Sequence, residues 1–315
     1  MAGFSDLTFR ALCYEFGCDL AYTEMISAKG LHYQSDKTGH LLATDETEKQ
    51  LAVQLFGSDP SIMAKAAAQV CVLLGPKLTL IDVNMGCPAP KITGNGDGAS
   101  LMRDLPLAAS VLSAVVETCP VPVTVKFRKG WDDASVNAVE FARMAQDCGV
   151  AALTIHGRTR MQQYGGRADW DCIAAVKQAV SVPVIGNGDV RDTISAKAML
   201  AHTDCDGVMI GRGALGRPFV FAEIAATLRG EDYVPPSPNE RIRLALRHAR
   251  QLVQAKGPHA IIELRKHIPF YLHGLPGAAR LRAGANAARC VEELEEILDS
   301  VKLRTYNVET DFKEN

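Results

Sequence analysis

The feature that most constrains this 315-residue chain is a repeat running to about residue 228: a short apolar, β-rich run closed by a polar or glycine turn, then a segment of helical spacing. Strands are expected at Leu20 to Thr23, Leu51 to Leu55, Leu78 to Val83, Val121 to Phe127, Ala152 to Ile155, Val182 to Ile185 and Gly207 to Ile210. Helices are expected between them, at Ile62 to Leu74, Pro106 to Glu117, Val136 to Cys148, Trp170 to Ala179 and Thr193 to His202, several preceded by Asp or Ser suited to capping. Alternating units whose strands are apolar throughout imply a parallel sheet covered by helices. An open doubly wound sheet and a closed (β/α)8 TIM barrel both satisfy that pattern. The strand ends separate them, because nearly every one carries chemically capable residues: Glu24, Gln54, Asn84, Lys126 with Arg128, His156, Asn187 with Asp189, and Gly211 with Arg212. A barrel converges all its strand ends on one mouth, whereas an open sheet uses only its switch point. The barrel is therefore expected over residues 1–232.

Seven strands do not close an eight-stranded barrel, and the chain opens on Met-Ala-Gly and runs into a helix-like Phe9 to Phe16, so the first strand is expected to be missing. The run Val-Pro-Pro-Ser-Pro at 234–238 breaks the repeat and reads as a linker. Beyond it, helical spacing returns at Arg241 to Lys256, at Ala260 to His273 with a kink expected at Pro269, and at Cys290 to Val301, giving an all-helical domain over 239–305.

Charge is unevenly divided. The formal net charge is −2, yet from Asn239 to Val291 ten Lys or Arg face two acidic residues, leaving 24 basic against 34 acidic residues elsewhere. One end of the protein is suited to a polyanion. No apolar run reaches the roughly eighteen residues of a membrane span, and the start lacks the basic and apolar regions of a signal peptide, so a cytoplasmic protein is expected. The nine cysteines form no CxxC pair, which argues against a disulfide framework and a zinc or iron–sulfur site. They are expected to be reduced.

The stretch Asp82-Val83-Asn84-Met85-Gly86-Cys87-Pro88-Ala89-Pro90-Lys91, followed by Gly94, Gly96 and Gly98, puts a cysteine just past a strand end on a loop stiffened by prolines and loosened by glycines, as in a mobile lid. The glycine spacing follows no strand and opens no βαβ unit, so it is not a dinucleotide fingerprint. Lys126 ends an otherwise apolar strand; a buried ammonium without a partner is costly, so an anionic ligand such as a cofactor is its natural partner. His156-Gly157-Arg158-Thr159 ends the next strand. Asn187-Gly188-Asp189 and Gly211-Arg212-Gly213 end the last two, where barrels commonly bind phosphate with backbone N–H groups.

Taken together, DVNMGCPAPK, VQLFGSDP, VKFRKGW, HGRTR, IGNGD and MIGRGALGRPF resemble the tRNA-dihydrouridine synthases, and FRALCYEFG and RKHIPFYLHGLPGA most resemble their bacterial B-type branch, over Met1 to about Leu298. The resemblance implies a flavin-dependent TIM barrel with a helical tRNA-binding domain, using FMN and NADPH. It implies that Cys87 is the general acid, that Gln54, Lys126 and His156 contact the flavin, and that Asn187, Gly188, Asp189, Gly211 and Arg212 hold its phosphate. Met1 and Ala2 match a family segment beside the flavin. Asn84 is implied to contact the target uracil. Lys91, Arg158, Arg265, Lys266, Arg280 and Arg282 are expected on the tRNA side. Reduction of uridine to 5,6-dihydrouridine then takes a hydride at C6 and a proton from a thiol at C5. The alternatives are an FMN oxidoreductase acting on a free pyrimidine or other small molecule, against which the basic segment speaks, and a non-catalytic RNA-binding remnant.

Overall fold

In a computed structural model, the described residues are 1–33, 39–48 and 50–299. The seven expected strands, with a further short one at Ile26–Ser27 that was not expected, form one wholly parallel sheet: β1 (Ala21–Tyr22), β2 (Ile26–Ser27), β3 (Leu51–Phe56), β4 (Leu78–Met85), β5 (Val123–Arg128), β6 (Ala152–His156), β7 (Val184–Asn187) and β8 (Gly207–Met209). β1 and β2 pair with the same edge of β3, at Ala21↔Leu51 and Ile26↔Leu55, so they are two halves of one interrupted strand. At the interruption Thr23 bonds through its backbone N–H to Ala52 and accepts the Gln54 N–H on its hydroxyl. The order then runs β3 to β8, with helices between successive strands, which is the architecture of a (β/α)8 barrel. Among the described residues no pairing joins β8 to β1, and β8 is only half-buried.

Local chemistry sets the helix starts. Asp59, Asp104 and Asp169 accept the N–H of Ile62, Leu107 and Cys172, capping the helices Pro60–Leu74, Leu105–Thr118 and Trp170–Ala179. Asp192 and Ser195 form a reciprocal capping box on Thr193–Thr203. The helix expected from Val136 begins instead at Ala138, because Val136 is drawn into an antiparallel bridge with Gly130.

The chain divides into two compact units, one of residues 1–10 and 18–213, the other of 11–17 and the chain from Ala214 on. The proline run at 234–238 thus lies within the second unit, where Ser237 and Glu240 form a capping box on Pro238–Lys256. This unit has its own core, in which Ile242, Leu246, Leu264, Tyr271, Leu281 and Leu294 are buried together. The single kinked helix expected over 260–273 is two short helices, Ile261–Leu264 and Ile268–Tyr271. Pro269 lacks an N–H and sits in the first turn of the second, where none is needed. Val220–Arg229 and Ala278–Ala287 are helices the spacing did not reveal. The last expected helix is present at 291–299; its expected end at 300–301, and the domain end at 305, lie outside the described residues. Among the described residues no helix is long and apolar enough to cross a membrane.

Candidate active site

Parallel register carries the polar residues of β3 to β6 onto one face. Gln54 pairs with Asp82 and Asp82 with Thr124; two residues further along, Asn84 pairs with Lys126 and Lys126 with Thr154. In this layer the Thr124 hydroxyl donates to Asp82 Oδ1 at 2.6 Å and Gln54 Nε2 to Asp82 Oδ2 at 2.8 Å. Asn84 Nδ2 donates in turn to Gln54 Oε1 at 2.8 Å. Burial pushes the Asp82 carboxyl up to about 6, against the pull of its hydrogen bonds and of Lys126. Burial and the nearby Arg128 bring the Lys126 ammonium down to about 8, opposed by Asp82 and Cys87.

Cys87 follows the end of β4, half-buried, on a loop held from several sides. Its N–H and that of Gly86 donate to Asn84 Oδ1 at 2.9 and 3.1 Å. The Gly86 carbonyl accepts from Arg128 Nε at 2.7 Å, and the Cys87 carbonyl from the Ala99 N–H at 3.1 Å. Gly98 has φ +60, and a Cβ there would stand 3.0 Å from the Cys87 carbonyl oxygen, so this glycine serves a close approach. Lys91 is exposed on the short helix Pro90–Thr93.

The ends of β6 to β8 carry His156 and Arg158, Asn187 and Asp189, and Arg212. His156 is buried, and burial together with Lys126, Arg128, Arg158 and Arg212 holds its imidazole far below the ordinary range, hence neutral. Arg158 is buried and its guanidinium is committed: it donates to both oxygens of Asp189 at 2.8 Å and to the carbonyls of Gly165 and Gly166. Burial raises the Asp189 carboxyl, but the Ala168 N–H and Arg158 outweigh it and leave the group below its ordinary range. These two residues therefore strap the 157–169 loop to the end of β7. Asn187 Nδ2 donates to the Met209 carbonyl at 2.8 Å, tying β7 to β8. Arg212 is exposed, 4.9 Å over the Tyr164 ring. Met1 and Ala2 lie in a turn whose Gly3 N–H donates to Glu24, and a Cβ on Gly211 would come within 3.6 Å of Met1 Sδ.

The residues present suit the FMN that the resemblance implies. Among the described residues, no hydrogen bond or ion pair holds the Lys126 ammonium, and Arg212 has no carboxylate partner. Gly188, at φ +128, lets the turn after β7 pack closely against its neighbours, since a Cβ there would lie 2.6 Å from the Ala168 Cβ and 3.2 Å from the His156 ring. An electron-rich ring and a phosphate would find cations in Lys126 and Arg212.

The basic residues of the second unit differ in what already holds them. Arg265 is half-buried and donates to the Ala288 carbonyl at 3.3 Å, and Lys266 lies 3.7 Å from Glu263. Arg280 and Arg282 are exposed on Ala278–Ala287, two positions apart and hence on different faces. Sequence reasoning passed over Asp82 and Thr124, and named Arg128 only as a chemically capable residue at a strand end, without a role. The available signal was polar residues at alternate positions of otherwise apolar strands, at 82 and 84 and at 124, 126 and 128.

A family model described as dihydrouridine synthase matches residues 1–306. The chain is 42% identical over 301 residues to a probable tRNA-dihydrouridine synthase 1 of Synechocystis, covering 95% of this chain and 84% of that protein. It is 41% identical over 302 residues to tRNA-dihydrouridine synthase B of Escherichia coli K12, covering 95% and 93%. Against the synthase B of Pseudomonas aeruginosa it is 40% identical over 288 residues, covering 91% and 86%. Among solved structures, 6-hydroxypseudooxynicotine amine oxidase from Pseudomonas geniculata matches with a TM-score of 0.55 at 14% identity, over 73% of this chain and less than half (46%) of that one, a likeness of fold alone. The chain belongs to the dihydrouridine synthase family.

Proposed function

We propose that this protein reduces uridine in tRNA to 5,6-dihydrouridine, using FMN and NADPH. The observation that carries the reading is the convergence of Cys87, Asn84, Gln54, Lys126 and His156 at the carboxyl ends of adjacent parallel strands, in a chain of this family. Bound FMN, recharged by NADPH, supplies the hydride that C6 of the uracil receives. Gln54, Lys126 and His156 would hold its ring system, and Asn187, Gly188, Gly211 and Arg212 its phosphate end, with Asp189 and Arg158 keeping that loop in place and Met1 and Ala2 alongside. Lys126 stabilises negative charge near the ring at neutral pH, when its ammonium is still protonated. His156, neutral, adds a hydrogen-bonding group without a further charge.

Asn84 orients the uracil and, through its Oδ1, the peptide of Cys87. Cys87 gives its Sγ proton to C5 as the C5=C6 double bond is reduced; the thiolate left behind recovers a proton from solvent. The base must leave its stack to reach these groups, and Lys91 with the basic residues Arg265, Lys266, Arg280 and Arg282 would meet the surrounding phosphates. The test is direct: the purified protein with FMN, NADPH and tRNA lacking dihydrouridine should form dihydrouridine and consume NADPH. A flavin-loaded preparation that reduces free uridine but leaves tRNA unchanged would refute the tRNA assignment.

A further inference from the structure

Five hydrogen bonds run in one direction beneath the site. The Thr124 hydroxyl and Gln54 Nε2 donate to Asp82, Asn84 Nδ2 donates to Gln54 Oε1, and the N–H groups of Gly86 and Cys87 donate to Asn84 Oδ1. The two ends of this relay admit no choice, because an ionised carboxylate only accepts and a backbone N–H only donates. The amides of Gln54 and Asn84 each have an oxygen end and a nitrogen end of nearly the same shape, so packing alone does not orient them. Turning Gln54 over would set its Oε1 against the carboxylate and its Nε2 against Asn84. Turning Asn84 to match would set its Nδ2 against two N–H groups. One orientation alone satisfies all five bonds, and it leaves each amide a second N–H for a ligand.

We propose that Asp82 is a positioning residue: as an acceptor-only group under the barrel mouth, it dictates which way the Gln54 and Asn84 amides face and so holds the peptide of Cys87 in place. Asp82 is fully buried, and its register neighbours Gln54 and Thr124 are its hydrogen-bond donors. With its pKa at about 6 and Lys126 nearby, it is ionised at neutral pH, as the role requires. The inference rests on the proposed reaction only for its effect on turnover.

Two variants separate orientation from charge. Asp82→Asn keeps an acceptor oxygen for Gln54, because its Nδ2 can face the Thr124 hydroxyl, which accepts as well as donates. Asp82→Leu offers no acceptor. In the ligand-free protein, the rate at which iodoacetamide labels Cys87, followed by peptide mass spectrometry, should change about threefold or more in Asp82→Leu and stay near wild type in Asp82→Asn. With tRNA, kcat should fall about tenfold in Asp82→Leu at an unchanged KM, and recover in Asp82→Asn.

Gln54→Leu cuts the same relay and should alter Cys87 labelling as Asp82→Leu does, so it carries the test if Asp82→Leu does not fold. Unchanged labelling in a folded Asp82→Leu or Gln54→Leu protein overturns the proposal, and so does an Asp82→Asn variant as impaired as Asp82→Leu. Should the wild type form no dihydrouridine while the labelling pattern holds, the proposed reaction fails and the relay stands.

Discussion

At the residue scale, Lys126 shows how burial converts a common side chain into a tuned one. Its ammonium loses hydration on β5 and shares the space with Arg128, and the attraction of Asp82 and Cys87 recovers only part of the loss. In the folded protein it titrates at about 8, below the ordinary lysine value of 10.5. Between those values the unfolded chain holds a proton that the folded chain has released, so stability rises with pH through that window and is lost as pH falls through 8. Ligand binding has the opposite sense, because a ring that accepts hydrogen bonds and gathers negative charge on reduction is held better by the charged ammonium. The affinity for FMN, measured by fluorescence titration, should therefore weaken as pH rises through about 8, and Lys126→Met should bind more weakly with that pH dependence removed. An equally steep pH dependence in the Met variant would place the titrating group elsewhere.

At the element scale, the turn after β7 is built from backbone that other residues do not tolerate. Gly188 has φ +128, Asp189 has φ 62, and a Cβ on Gly188 would overlap the Ala168 Cβ at 2.6 Å. Gly188→Ala should cost about 1–3 kcal/mol in strain and displaced contacts, and should reduce FMN retention more than it reduces tRNA affinity. Thermal melts with and without FMN would check this; a variant that melts and binds FMN as wild type would show that the turn relaxes freely. The strands were legible because both faces of a barrel strand are covered, leaving predominantly apolar runs such as Leu51, Ala52, Val53 and Leu55, interrupted only by Gln54. The interruption between β1 and β2 was not legible, since the Thr23 hydroxyl there accepts from the backbone N–H of Gln54, 31 positions away. Ala278–Ala287 escaped because alanine, glycine and arginine dominate it and few large apolar residues mark its buried face. Cys87 and Lys126 stood out by their place at strand ends. Asp82 did not, because its partners Gln54 and Thr124 come from neighbouring strands, and a single strand does not show what lies beside it.

At the scale of the whole molecule, the chain separates its chemistry from its charge. The first unit carries the strand-end residues, and the second carries the basic excess between Asn239 and Val291 on a helical core of its own. Of those basic residues, Arg280 and Arg282 have no carboxylate partner among the described residues and are free to meet phosphates. Replacing both with alanine should weaken tRNA binding and lower the slope of log affinity against log salt by about one to two. An unchanged slope would assign the contacts to other residues. The most direct test of Cys87 as the proton donor is a single turnover in which flavin-reduced protein is mixed with unmodified tRNA. Wild type should oxidise its flavin and form dihydrouridine, whereas Cys87→Ala should keep flavin and tRNA bound but react about a hundredfold or more slowly, the contribution of a positioned acid. Reaction of Cys87→Ala at the wild-type rate would contradict the assignment of Cys87 as the proton donor.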